Sequence, residues 1–290
     1  MIHIENVCPD FFAFWERSQA HEADEQKQLW QTLYENRHPD LFALYYSKFG
    51  HPAGLDNALT RFDRVVPTMQ ALIPHLERSI ANAVPLCAPL FALPGSDARF
   101  VLMVGVFASD CWVESFHDVW TSFFAVEQMT TYRPGLDIGV AHETCHVLHM
   151  QCIPAPVAVW SLAMGMFLEG LATYATSHLY PDAGDAAHLN MPPDLIAACE
   201  AQWGDVRQRI LREIDQADLD RAKVYFLADP GLAAQAGLPT RVGYFVGYQI
   251  VRALSHYYSI ADMARWSPDR IRTEERQALE QLEQLPGSVA

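Results

Sequence analysis

The chain has 290 residues, half of them hydrophobic, enough to bury a large core as one big domain or two packed ones and too apolar for disorder. Its 35 acidic against 20 basic residues give a formal net charge of -15, which opposes binding to nucleic-acid phosphates and to anionic lipid surfaces. Six scattered cysteines with no CxxC pair are too few for a disulfide framework, and "MIHIENVCPDFFAFWERSQA" lacks the basic start and apolar run of a secretory signal, so a cytoplasmic location with reduced cysteines is expected.

In chain order, residues 9–48 hold two helix-like segments, "DFFAFWERSQAH" and "DEQKQLWQTLYENRHPDLFALYYSKF". Residues 55–84 continue the helical spacing, with Pro67 and Pro74 expected to break or kink it. After the turn signal "LPGSD", the runs "ARFVLMVGVF" and "TSFFAVEQMT" (121–130) are short, apolar and rich in valine and aromatics, and read as strands of a small sheet. Residues 137–152 return to helical spacing, with Asp137 as a candidate N-cap and Pro154 and Pro156 as the stop. The remainder is helical, including "DLIAACEAQWGDVRQRILREIDQA" and "TRVGYFVGYQIVRALSHYY". The expected class is therefore α+β, mostly helical, with a helical N-terminal region over 1–98 and a second domain over 99–290.

Between Val157 and Tyr180 the only formally charged residue is Glu169. The run is long enough to be weighed as a membrane span. An acid near its centre costs roughly 2.5–3.5 kcal/mol on insertion, and no lysine or arginine clusters flank it. A core helix with no membrane span is the expectation. A buried carboxylate needs a cation, donors or a metal.

That partner is legible in "DIGVAHETCHVLHM". His142 and His146 are four apart, so a helix puts both imidazoles on one face, close enough to hold one zinc ion, with Glu143 turned toward a water on that metal. Glu169 follows after 22 intervening residues and is the expected third ligand, leaving one position open as catalytic zinc does. Cys152 stands where a longer HExxHxxGxxH pattern would end, but position 149 is His149 rather than glycine; His149 lies about 10 Å along the helix from His142, too far to share one ion, and reads as a supporting or surface residue. An ordinary core histidine pair, with the glutamate bonded elsewhere, is the plain alternative.

Zinc would lower the pKa of its water, and Glu143 would act as general base toward a polarised carbonyl. Arg241, Tyr244, Tyr248 and Arg252 fall near one helix face and are candidate oxyanion donors, Tyr248 first; packing at the core edge with water-facing hydroxyls serves equally for the tyrosines. The strand "TSFFAVEQM" could pair with an extended substrate if it forms the sheet edge.

"HETCH" followed by "LEGLATY" resembles the gluzincin metallopeptidases, in which HExxH precedes a glutamate in an EGxAxY-type helix. The similarity extends to a bacterial family of predicted zinc-dependent proteases with an "FxxFW"-like start and a late "GYxxGYxIV" helix, matched here by "FFAFW" at 11–15 and "GYFVGYQIV" at 243–251. The interval to Glu169 is a few residues longer than in thermolysin-like enzymes. The resemblance implies a zincin-like fold and hydrolysis of peptide or protein substrates; a zinc- or ligand-binding protein without catalysis is the alternative, against which Glu143 speaks, since zinc binding alone has no use for a base there.

Overall fold

The computed structural model describes residues 1–130, 135–153, 161–215, 218–226 and 228–285. Among the described residues four strands, β1 (Ile2–Asn6), β2 (Ala98–Met103), β3 (Cys111–Phe116) and β4 (Val119–Ala125), accompany a predominantly helical chain. Its helices are α1 (Cys8–Ser18), α2 (Ala23–Leu33), α3 (Pro39–Lys48), α4 (Leu55–Cys87), α5 (Val126–Met129), α6 (Leu136–Cys152), α7 (Leu162–Leu179) and α8 (Asp185–His188). They continue with α9 (Pro193–Ala201), α10 (Trp203–Glu213), α11 (Leu219–Phe226), α12 (Pro230–Ala236), α13 (Val242–Leu254), α14 (Ile260–Met263) and α15 (Pro268–Gln281). This is the expected α+β class, mostly helical with a small mixed sheet. Among the described residues no helix is long and apolar enough to cross a membrane.

The chain forms two compact units, Met1–Pro85 with Gly95–Val147, and Leu86–Pro94 with Leu148–Ala290. The boundary expected near residue 98 lies inside the first.

In the first unit the sheet order is β1-β2-β4-β3. β1 and β4 flank β2 in parallel, and β3 pairs antiparallel with β4 through a hairpin turn at His117 and Asp118, both at positive φ as a type I′ turn demands. β4 is thus internal, which corrects the expectation that "TSFFAVEQM" could offer a sheet edge; the edges are β1 and β3. The strand also stops at Ala125, and "VEQM" turns into α5.

The motif "FFAFW" is core: Phe11 and Phe14 are fully buried against Trp30, Tyr34 and Phe62, with Phe11–Phe62 centroids 4.9 Å apart. The Tyr34 hydroxyl caps the end of β2, accepting from Val104 N at 2.7 Å and donating to Val104 O at 3.1 Å. Tyr45 accepts from Val106 N at 3.0 Å in the same loop. Val140 and Val147 of α6 share this core with β2 and β4, so the sheet and the first part of α6 are one packed body.

α4 runs unbroken through Pro67 and Pro74, neither of which breaks it as the sequence allowed, and through Pro85 as well. The three prolines and the residues four before them, Asp63, Gln70 and Ala81, are all exposed, so the carbonyls left without an N–H partner face water. α6 begins at Leu136, which puts Asp137 inside the first turn rather than at the cap. There its carboxylate accepts from Ser79 Oγ and lies 3.4 Å from His75 Nε2, tying α6 to α4. Pro154, Pro156 and residues 157–160 lie outside the described residues.

In the second unit α7 and α13 cross in tight contact at Gly170 and Gly247, where a Cβ on either would overlap backbone of the other helix. The Phe226 ring of α11 lies against Gly165 and Gly243.

Candidate metal centre

α6 is buried nearly all round. Between Leu136 and Ile153 the partly accessible positions are Gly139, His142, His146, Met150, Cys152 and Ile153, and the fully exposed ones are Asp137 and Gln151. Gly139, His142, His146 and Met150 follow one another at steps of three, four and four, a single helical stripe. Two imidazoles in the one accessible stripe of a core helix are placed to meet something from solution.

Their Nε2 atoms face each other at 3.0 Å with the rings near perpendicular. Neutral imidazoles in this pose can share only one proton, one Nε2–H donating to the other nitrogen. Two nitrogens bound to one tetrahedral zinc at about 2.0–2.1 Å would stand roughly 3.3 Å apart. The pair is therefore within a few tenths of an ångström of the spacing a shared zinc ion needs, and the two nitrogens and a carboxylate suit that metal. One ligand atom each from His142, Glu143 and His146 lie within 4.8 Å of one another.

Glu143 is 8% exposed and points to the sheet side, where its Oε1 accepts from Cys111 Sγ at 3.3 Å. Cys111 opens the edge strand β3, its partner across the ladder being Phe124. Nothing in the sequence marked Cys111: the contact arises from the register of a hairpin whose first strand, "CWVESF", was not foreseen.

His149 is buried, with ring contacts to Phe91 and Phe167, which excludes the surface alternative of the two roles expected for it. Cys152 is partly accessible and lies outside the His142, Glu143, His146 group.

The remaining residues singled out from the sequence belong to the second unit. Glu169 is the one partly accessible residue in the otherwise buried stretch Leu162–Thr173 of α7, so the lone acid has an opening on the surface of its helix rather than full burial. Tyr248 is buried and donates its hydroxyl to Asp185 Oδ1 at 3.0 Å, with Arg252 Nη1 3.9 Å from the same carboxylate. Burial and the Asp185 charge push the Tyr248 phenol up from its ordinary pKa. Arg241 stands at the start of α13 in a left-handed conformation; its guanidinium lies 4.1 Å from the centre of the Tyr244 ring, and Nη2 donates to Leu189 O at 3.5 Å. The water-facing hydroxyl expected as the plain role of these tyrosines does not describe Tyr248.

Residues 115–273, more than half of the chain, match the sequence family described as "Predicted Zn-dependent protease (DUF2268)". The match starts within β3 and ends within α15, and so takes in α6, α7 and α13 whole. No curated protein and no solved structure matches the chain.

Proposed function

The chain belongs to this family of predicted zinc-dependent proteases, and we propose that it is a gluzincin-type metallopeptidase of zincin-like fold that hydrolyses peptide bonds in peptide or protein substrates. The observation that carries the proposal is the pair of Nε2 atoms converging at 3.0 Å on the accessible stripe of α6, with a nearly buried carboxylate beside them.

His142 and His146 would hold the ion through Nε2, and Glu169 is assigned as the third ligand on the strength of the sequence interval. Zinc, when bound, supplies Lewis acidity, polarising the scissile carbonyl and making water a nucleophile near neutral pH. Glu143 takes the proton from the attacking water on a carboxylate oxygen and returns it to the leaving amine nitrogen as the C–N bond breaks. Its low exposure keeps bulk water from competing for that proton. β3, the antiparallel edge strand that reaches Glu143 through Cys111, is the sheet edge on this side of the site, and an extended peptide laid along it would form main-chain hydrogen bonds. Arg241, Tyr244 and Tyr248 remain the assigned donors to the oxyanion.

The test is zinc analysis of the purified protein together with digestion of a peptide library. About one zinc per chain is expected, lost in a His142→Ala, His146→Ala double variant, while Glu143→Gln keeps zinc and the fold but loses hydrolysis. Full metal retention by the double variant, or unchanged turnover by Glu143→Gln, overturns the assignment. A Tyr248→Phe variant with undiminished kcat would move the oxyanion role off Tyr248.

A further inference from the structure

Residues 104–110, between β2 and β3, have left the ladder, so their backbone polar groups need other partners. Side chains from separate elements supply them. Tyr34, just past α2, bonds both the N–H and the carbonyl of Val104, and Tyr45 of α3 accepts from Val106 N. From α5, Glu127 Oε1 accepts from Phe107 N at 3.2 Å and Gln128 Nε2 donates to Phe107 O at 2.9 Å. Phe107 itself stands at φ +62°, a left-handed conformation that a side chain resists. Its ring lies under the Arg61 guanidinium, 3.7 Å away, and beside Phe62. A conformation of that kind persists only while such contacts hold it.

Glu127 is the least satisfied member of this set. It is 1% exposed, and its Oε2 has no hydrogen-bond partner among the described residues. A neutral carboxyl tolerates such a site, whereas an ionised one with an oxygen left dry and unbonded is strongly disfavoured. The titratable and charged groups that face it are Cys8 of α1, Tyr34, Tyr45 and, from α4, Arg61. Burial pushes the thiol and both phenols up, so they stay neutral around pH 7, and Arg61 is the one charge among these four. The packing is close: a Cβ at Gly105 would collide with the Tyr45 hydroxyl and with Glu127 Oε1. Phe107 is partly accessible and Ala108 exposed, so a short outward movement of the loop would bring water to the carboxyl.

We propose that the β2–β3 loop is a pH-operated clasp: it closes over Glu127 while that carboxyl is neutral, and it lifts when the carboxyl ionises, so that water reaches Oε2 and Phe107 leaves its left-handed conformation. The clasp stands at the entry to the edge strand β3 and does not depend on the chain being a peptidase. Burial pushes Glu127 up to about 7 in the closed form, against the pull of the Gly105 and Phe107 N–H groups and of the Arg61 charge. In the open, hydrated form it titrates as an ordinary carboxyl, near 4.5. The closed form holds the proton more tightly, so closure is favoured most below about pH 4.5 and weakens as pH rises toward 7, above which the balance levels off.

Amide hydrogen exchange of the full chain between pH 5 and 8, with each rate divided by the intrinsic rate at that pH, tests this without any substrate. In the wild type, protection of the segment 105–109 should fall about tenfold or more from pH 5 to pH 7 and change little above that, while β4 and α4 in the same unit keep theirs. Glu127→Gln keeps an acceptor for Phe107 N and cannot ionise, so its 105–109 segment should stay protected at every pH. A parallel loss in 105–109, β4 and α4 would mean that the whole unit loosens, and it overturns the clasp. The same fall in Glu127→Gln as in the wild type overturns it as well. If Glu127→Gln does not fold, Arg61→Gln decides: removing the one facing charge raises the proton affinity of Glu127, so the fall in protection should run on to higher pH, and an unmoved profile overturns the proposal. A wild type that hydrolyses no peptide removes the enzymatic assignment and leaves this exchange result to be read by itself.

Discussion

Gly170 of α7 and Gly247 of α13 meet backbone to backbone: a Cβ on Gly170 would overlap the carbonyl of Gly247, and one on Gly247 the carbonyl of Met166. Neither neighbour is a side chain that could swing aside, so an added methyl must push the helices apart. Gly170→Ala and Gly247→Ala each gain about 1 kcal/mol of helix propensity and incur overpacking of about 1–3 kcal/mol or more, with the backbone clash setting the upper end. Each should lower the melting temperature by several degrees in a thermal melt. Gly165→Ala, which meets only the Phe226 ring at 2.8 Å, should cost less. Equal melting points for wild type and Gly170→Ala would contradict the close crossing.

Metal should stabilise the wild type. A ligand at a hundred times its Kd adds about 2.7 kcal/mol to folding, so a chelator should lower the wild-type melting temperature clearly. If Glu169 is the third ligand, Glu169→Gln weakens zinc binding and the drop shrinks or vanishes. Melts of both proteins, with zinc and with chelator, decide the matter; equal drops would remove Glu169 from the ligand set.

Glu127 is buried at the start of α5, where Oε1 accepts from Phe107 N at 3.2 Å. Desolvation pushes its pKa up to about 7 against the opposing pull of these backbone donors. A folded value above the unfolded one means that the contribution is fully present below about pH 4.5 and is lost as pH rises toward 7, where the unfolded chain has released the proton and the folded one has not. The loss is on the order of 3 kcal/mol. Glu127→Gln keeps an acceptor for Phe107 N and should flatten this fall in urea titrations between pH 4.5 and 8; an unchanged slope would show that Glu127 is not its source.

Glu275 in α15 is fully buried, and neither carboxylate oxygen has a hydrogen-bond partner among the described residues. Burial drives its pKa well up, so it stays protonated in the fold while the unfolded chain ionises, again opposing folding as pH rises above the ordinary carboxylate range. Glu275→Met, of similar shape, should raise stability at pH 8 by about 1–3 kcal/mol and by less at pH 4, read from thermal melts. A lower melting temperature for Glu275→Met at pH 8 would mean that the acid is held by a group of its own.

The helix that carries His142 and His146 was legible in the sequence because two periodicities agree there: the histidine spacing and the turn of an α-helix. β2 and most of β4 could be read from runs of valine and aromatics, since both are buried on two sides. β1 and β3 could not. "IHIEN" is short and half polar and becomes a strand only because β2 lies beside it, while the turn ahead of β4 uses His117 and Asp118 at positive φ instead of the glycine or asparagine that announces a hairpin. The prolines of α4 misled for a different reason: their cost depends on whether the orphaned carbonyl is dry or wet, and a linear pattern does not give that. The thiol beside Glu143 is a consequence of strand register and could be found only in three dimensions.

The pairing of β1 with β2 joins residue 2 to residue 98 and so sets an order of events during synthesis. β1 leaves the ribosome before β2 and waits for it until α1 to α4 have followed, and β2 completes its own far side only when β4 arrives. Closing so long an intervening segment adds little to the final free energy, since the cost grows only logarithmically with length, but it delays the sheet relative to local helix packing. During that wait Phe11, Phe14, Trp30 and Phe62 can already gather, all within the first 62 residues. β1 meanwhile exposes an edge whose His3 and Glu5 alternate with its two isoleucines. Those polar side chains make the waiting strand a poor template for another copy, so the nascent chain carries its own protection against pairing too early and with the wrong partner.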